Sequence, residues 1–360
     1  MRRLLGLCLL LLVPSVHGQG LGQGTPDAPV TEWPTAHPDS MGLDTEALRA
    51  HRDRCRASGA FGCLVAYEGH VVQEWYRAEH RRPFVGTRSA VKSWAGLLTG
   101  MLIADGMIDS VGVPVAKWIP EWTAGAEAGV TIRHLLTMTS GLSDRTGHRL
   151  TIPPVDSAEA AAHPSGPGVV AAKNTTGYVL DLPLDWAPGE RFSYSNEGVQ
   201  LLSPILERAA GLPLARYARE RLFGPLGMDR TSLRVDEYYN TVLFGGAETT
   251  LPEFARIGQL MLNDGRWNGR QIVPASWVER STTPGPKMSN YGFLWWIDTN
   301  RNNFAATGTL DNVCIVFPEH DLVVARMQRD PAPAADVRYQ RPETLTLLRR
   351  IVDGAAETGQ

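Results

Sequence analysis

Strand-like segments at opposite ends of this chain constrain its fold more than any other feature. Near the N-terminal end, Cys63 to Tyr67 and Val71 to Tyr76 are apolar runs around Glu68-Gly69-His70, a hairpin signal. The same character returns far downstream in Phe293 to Ile297, Phe304 to Thr307, Val313 to Phe317 and Leu322 to Met327. Between the two sets, apolar residues recur at helical spacing. One sheet assembled from both chain ends, with a helical lobe inserted, satisfies that order. An amphipathic helix over Leu43 to Ala57 and a closing helix from about Glu343 to Val352 flank the strands. At 360 residues, 43% hydrophobic and 20% charged, the chain can bury a large core in two lobes.

Ser89-Ala90-Val91-Lys92 opens the first helical run after the hairpin. The chain holds four lysines, and Lys92 alone has a serine three positions upstream. Trp94, Leu97, Leu98, Met101 and Leu102 continue the run as a core-facing stripe, and Gly106 ends it. Residues three apart share a helix face, so the amine can reach the hydroxyl. A serine needs an adjacent base to act as a nucleophile, and a lysine serves only when burial or cationic neighbours lower its pKa. The nearby helix N-terminus adds backbone N–H groups where an oxyanion would develop.

A second box, Tyr194-Ser195-Asn196, stands between the turn signal Pro188-Gly189 and an apolar helical run through Val199, Leu201, Leu202 and Ile205. A phenol whose pKa is lowered by a nearby ammonium can relay a proton, and an amide can both donate to and accept from a substrate. S-x-x-K with a polar triplet and K-T-G marks serine β-lactamases and penicillin-binding proteins.

On these residues the chain resembles the serine β-lactamase and penicillin-binding-protein-like hydrolases. Its nearest likeness is to the branch of class C β-lactamases, family VIII esterases, D-aminopeptidases and 6-aminohexanoate-dimer hydrolases. The likeness runs from about Gly42 to Asp353 and includes Ile132 to Leu142, Pro225-Leu226-Gly227-Met228, and Phe254 to Gly269. It implies an α/β (α+β) fold, with an antiparallel sheet from both chain ends, flanking helices and an inserted, mostly helical lobe. The implied hydrolase domain covers 41–355, with an α/β lobe of about 41–110 plus 285–355 and a helical lobe of about 111–284. Ser143 to Thr176, crowded with Gly, Pro, Ala and Ser, would form a long loop near the site.

The third box departs from the family. Spacing to Phe317-Pro318-Glu319 places it on Ala306-Thr307-Gly308, where the residue that usually carries charge is alanine. The resemblance implies that Thr307, Gly308 and Thr309 line the site, with the N–H of Thr309 and of Ser89 forming the oxyanion hole. That hole is backbone and survives the change, whereas recognition of a substrate carboxylate loses its cation. Arg301 lies close enough in sequence to replace it.

Other chemistries find no support. No serine has glycine at both −2 and +2, and the nine histidines show no H-x-H or H-E-x-x-H spacing. His134 reads as a hydrogen-bonded structural residue. A net charge of −3 without a basic run gives no reason to invoke nucleic acid. Trp295 and Trp296, after Tyr291, are either pocket wall or core.

Residues 1–18 have the form of an export signal: Arg2-Arg3, an apolar stretch from Leu4 to Val13, then Val16-His17-Gly18 before Gln19. The stretch is short for a membrane span, and Leu7 before Cys8 fits a lipobox poorly. Residues 19–40 then read as a linker or arm. Of the remaining cysteines, Cys55 and Cys63 are spaced for a disulfide in an oxidising compartment, or all three, with Cys314, are free.

These readings predict an exported, periplasmic or secreted serine hydrolase that cleaves an ester or amide through an acyl-serine intermediate. It would be esterase-like more than β-lactamase. The alternatives are a D-Ala-type peptidase or β-lactamase acting on cell-wall-related substrates, and a catalytically silent binding protein on the same fold. Ser89 is the expected nucleophile, Lys92 and Tyr194 share acid–base work, and Asn196 orients the substrate. No metal or organic cofactor is needed, the partner is a small-molecule ester or amide, and no stable membrane anchor is expected.

Overall fold

The computed structural model describes residues 33–77, 84–145, 168–329, 339 and 342–358. The export signal, residues 19–32 of the arm, and residues 146–167 of the loop between Ser143 and Thr176 lie outside them.

Helix α1 (Thr45–Ala57), capped by Asp44, leads into the hairpin of β1 (Gly62–Tyr67) and β2 (His70–Tyr76). Two short strands, β3 (Val85–Gly86) and later β4 (Ser232–Leu233), flank β5 (Ala247–Thr249) in a small sheet. A 3-10 turn at Arg88–Ala90 follows β3 and runs directly into α2 (Val91–Ala104). The inserted lobe then builds α3 (Ile132–Leu136), α4 (Thr175–Leu180), α5 (Asn196–Gln200), α6 (Leu202–Ala210) and α7 (Leu214–Ala218). Helix α8 (Leu251–Leu262), the β6 (Arg266–Trp267) and β7 (Arg270–Gln271) hairpin and α9 (Ala275–Ser281) follow. The chain returns to the main sheet through β8 (Trp296–Asp298), β9 (Asn303–Gly308), β10 (Asn312–Phe317) and β11 (Leu322–Met327), and closes with α10 (Pro342–Thr358).

The main sheet has the order β2-β1-β11-β10-β9-β8, and every neighbouring pair is antiparallel. Both chain ends meet where β1 pairs with β11, from Gly62 opposite Met327 to Tyr67 opposite Leu322. Successive side chains of a strand point to opposite faces, which explains the apolar run of each strand here. Cys63, Val65, Val313, Ile315, Phe317, Leu322 and Val324 pack into a core shared with residues of α1 and α10. Leu64, Ala66, Cys314, Val316, Val323 and Ala325 pack into the larger core with residues of α2 and α8. Burying one such Val, Leu or Ile side chain contributes roughly 1.5–3 kcal/mol.

Helix α8, which falls within the span expected for the helical lobe, lies against the main sheet. Its Gly258 permits the contact, since a Cβ there would sit 2.5 Å from Cys314 Sγ and 2.7 Å from Val323 Cγ1. The expected strand Phe293 to Ile297 is shorter than its apolar pattern. Only Trp296–Asp298 pairs in the sheet. Phe293 N–H donates to Ser281 O and Leu294 N–H to Leu136 O, so this stretch ties α9 and α3 together instead. Apolar residues in a core-lining loop leave the same pattern as a short strand.

Cys55, late in α1, is bonded to Cys63 in β1, and Cys314 is free and buried. A bridge of this kind typically adds about 2–4 kcal/mol by constraining the unfolded chain. Trp33 to Ala36 run along the outer edge of β2, where Val71 N–H donates to Pro34 O and Ala36 N–H to Val71 O. This covers a sheet edge that would otherwise expose unpaired backbone groups.

Candidate active site

Ser89 sits in the 3-10 turn at the head of α2, partly exposed, while Lys92 one turn further on is only 1% exposed. Arg88 before the serine holds φ at 56°, a left-handed backbone that a side chain adopts only under constraint from its surroundings. Two partners impose that path. Thr87 N–H donates to Ala247 O of β5 at 2.8 Å, and β9 comes close to the Thr87 and Ser89 backbone at Gly308. A Cβ on Gly308 would lie 2.4 Å from Thr87 O and 3.0 Å from Ser89 N, so only glycine lets the strand end approach the serine backbone this closely. Asn312, fully buried in β10, adds a bond from its side-chain amide to Gly86 O at 3.0 Å.

Lys92 Nζ lies 2.9 Å from Ser89 Oγ and donates to Phe244 O at 2.6 Å. Burial pushes its pKa down to about 7, opposed by the nearby negative charges of Asp144 and Glu197. Near neutral pH a substantial share of Lys92 is therefore free amine. In that form the contact reverses, and the Ser89 hydroxyl donates to Nζ.

Tyr194 enters from the residue before α5. Ser195 caps that helix by accepting Gly198 N–H at 2.9 Å, which explains the middle residue of the second box and fixes the residues on either side of it. The Tyr194 hydroxyl bonds to Ser89, and its ring has Lys92 Nζ 5.1 Å from the centroid. The sequence led to the expectation of a phenol made more acidic by a neighbouring ammonium. The structure reverses this: burial raises the Tyr194 pKa well above the ordinary value, with the Ser89 bond opposing. The desolvation of phenolate, with the Asp144 charge adding to it, outweighs the bond to Ser89. Asn196, the first residue of α5, is 8% exposed.

On the facing strand, Ala306 is fully buried, Thr307 partly exposed and Gly308 buried. Thr309 follows in a 3-10 turn. Arg301 is engaged elsewhere, with Nη1 2.8 Å from Asp298 Oδ2. The two adjacent tryptophans divide their roles. Trp296 stacks on Tyr194 at 5.8 Å with planes 23° apart, and Tyr291 meets Tyr194 edge-on at 6.2 Å. Trp295 is fully buried against Phe304. His134 is a structural residue, its ring nitrogen accepting Thr131 N–H in a capping box on α3.

Three contributors were missed in the sequence. Phe244 acts through its carbonyl, which leaves no side-chain signature. Asp144 lies beyond a helix of the inserted lobe and meets the site only through tertiary packing. Glu197 could have been noticed, since an acidic residue opens an otherwise apolar helical run one place after Asn196. Among the described residues, His51, Cys55 and Cys63 bring potential ligand atoms within 4.8 Å of one another. Both sulfurs belong to the disulfide, so this group does not offer thiolates to a metal.

The β-lactamase family profile matches residues 46–348. The chain belongs to the β-lactamase family. Over 348 residues it is 26% identical to the 6-aminohexanoate-dimer hydrolase of Paenarthrobacter ureafaciens, covering 89% of this chain and 86% of that protein. It is 32% identical over 227 residues to the esterase EstB of Burkholderia gladioli, covering 53% of each. A solved family VIII carboxylesterase superposes with a TM-score of 0.65 at 15% identity, covering 90% of this chain and 99% of that one, which speaks to the fold. The chain is a serine hydrolase of this family, whose members include esterases and amide hydrolases. No helix among the described residues is long and apolar enough to cross a membrane.

Proposed function

We propose that this family member hydrolyses small uncharged esters or amides through an acyl-Ser89 intermediate, with a preference for esters over β-lactams. The neutral Lys92 amine takes the Ser89 proton as Oγ attacks the carbonyl carbon. The N–H groups of Ser89 and Thr309 hold the oxyanion, and Asn196 orients the substrate. Tyr194, protonated at rest, donates to the departing oxygen or nitrogen and is re-protonated from the Lys92 ammonium. Water then attacks the acyl group, losing its proton to the same pair, and Ser89 is regenerated. The sum is addition of one water across the ester or amide bond.

One observation carries the substrate preference: the third-box position is Ala306, fully buried, and the Arg301 guanidinium is paired with Asp298. A charge-assisted hydrogen bond to a β-lactam carboxylate is typically worth about 1.5–3 kcal/mol, and alanine supplies none of it. The same absence disfavours a peptidase acting on substrates with a free carboxylate. The test has two parts. Intact-mass measurement after a fluorophosphonate should show one adduct on Ser89, and kcat/KM for p-nitrophenyl butyrate should exceed that for any penicillin or cephalosporin. Faster turnover of cephalosporins than of neutral esters would overturn the preference.

Export is part of the same proposal. The form of residues 1–18 supports it, and the Cys55–Cys63 bridge suits an oxidising compartment. Protein recovered outside the cytoplasm should begin at Gln19, and recovery only of cytoplasmic protein with Met1 retained would refute it.

A further inference from the structure

Glu197 is fully buried in the first turn of α5, directly after Asn196. Its Oε1 accepts the N–H groups of Arg145 and Val169, each at 3.4 Å, and its Oε2 lies 3.5 Å from Ser195 Oγ. Ser195 Oγ is also 3.4 Å from Ser143 O, so one hydroxyl proton is shared between these two acceptors. The carboxyl thus joins three pieces of backbone: the segment after α3, the residues before α4, and the helix start that carries Tyr194 and Asn196. An apolar side chain could fill this space, and an amide could make the same bonds without a charge to desolvate. The acylation chemistry derived above does not use a second acid here.

We propose that Glu197 is a positioning residue: its oxygens tie the helix start that carries Tyr194 and Asn196 to the segments at Arg145 and Val169, in register with Ser89, and its carboxylate is one of the negative charges that act on Lys92. Among the described residues, the charged and titratable groups that interact with it are Lys92 from α2, Asp144 and Arg145 from the segment after α3, and Tyr178 from α4. Arg145 is turned to Asp185, with Nη2 3.0 Å from both carboxylate oxygens, and among the described residues Lys92 is the cation whose charge Glu197 favours. Burial, with Asp144 adding to it, raises the Glu197 pKa to about 7, the range in which Lys92 also titrates. Two interacting groups titrating together give macroscopic steps that belong to the pair. Removing the carboxylate favours the free amine of Lys92, so the rise of activity with pH must begin lower.

This inference rests on the acyl-Ser89 reading, and the experiment separates the two. Fluorophosphonate labelling of the wild-type chain comes first, because loss of labelling at Ser89 defeats that reading as a whole. With labelling established, kcat/KM for p-nitrophenyl butyrate is followed against pH in wild type and in Glu197→Gln, which keeps an oxygen for the Arg145 and Val169 N–H groups. The acid limb is expected to move down by roughly 0.5–1 pH unit in Glu197→Gln. Glu197→Ala, which removes the oxygens as well, should lower kcat further while showing the same displaced limb. An acid limb that stays in place or moves up in Glu197→Gln overturns the proposal and leaves Glu197 a packing residue. Should Glu197→Gln fold poorly, Glu197→Asp decides: it keeps the charge, so the acid limb should stay near its wild-type position, while kcat falls because the shorter side chain no longer reaches the Arg145 and Val169 N–H groups. An acid limb displaced in Glu197→Asp overturns the proposal equally.

Discussion

The two walls of the site are built on different principles. On the wall made by α2 and α5, chemistry resides in buried side chains whose charges are tuned by their surroundings: Lys92, Tyr194 and Glu197 all have pKa values displaced by burial. On the facing wall made by β8 and β9, the tuned group is missing. Backbone remains at Gly308 and Thr309, an aromatic face remains at Trp296, and the guanidinium of Arg301 is paired with Asp298. Under the proposed mechanism, acyl transfer and carboxylate recognition are separable. The first would require desolvated side chains at fixed separations, while the second would be a single charge whose loss leaves a backbone oxyanion hole undisturbed.

Loss of the proposed nucleophile should have the largest effect. Ser89→Ala should abolish turnover and fluorophosphonate labelling while circular dichroism stays that of the wild type; full ester hydrolysis by this variant would remove the mechanism. Next in size, Lys92→Ala and Tyr194→Phe should each lower kcat by roughly 10² or more, the usual scale of a general acid–base group. Ester hydrolysis near wild-type rates in either would show that the proton travels by another route.

A pH profile sharpens the account of the charged wall. The proposed mechanism makes the free amine of Lys92 the base, and with its pKa depressed to about 7 that mechanism predicts that kcat/KM rises with pH and levels off above that value. Below it, activity should fall about tenfold per pH unit, since one proton blocks the base. A flat profile through neutrality would mean that Lys92 is not the base.

Smaller effects test the facing wall. Ala306→Lys is expected to improve β-lactam acylation relative to ester hydrolysis by about tenfold, which corresponds to roughly 1.4 kcal/mol of the attraction a cation supplies. No change in that ratio, measured by stopped-flow acylation, would show that Ala306 does not limit carboxylate recognition. Least of all, Arg301→Ala should alter kcat/KM for either substrate class by less than about twofold, given its pairing with Asp298. A large loss restricted to carboxylate-bearing substrates would identify Arg301 as the replacement cation.

The β-lactamase family, the antiparallel sheet joined from both chain ends and the serine-hydrolase class were legible in the residues alone. They were so because the first two boxes depend on short spacings, and the apolar strands depend on burial at both faces. Ser89 and Lys92 were legible as a pair because one helix turn brings them together. Contacts across larger separations came from packing: the Phe244 carbonyl on Lys92, the stacking of Trp296 rather than Trp295 on Tyr194, and the place of Glu197 beneath the second box. Packing also decided protonation, raising the phenol that the sequence suggested would be acidic and lowering the amine. The physical reason is that a pKa responds to desolvation by every atom packed around a group, most of which come from distant parts of the chain.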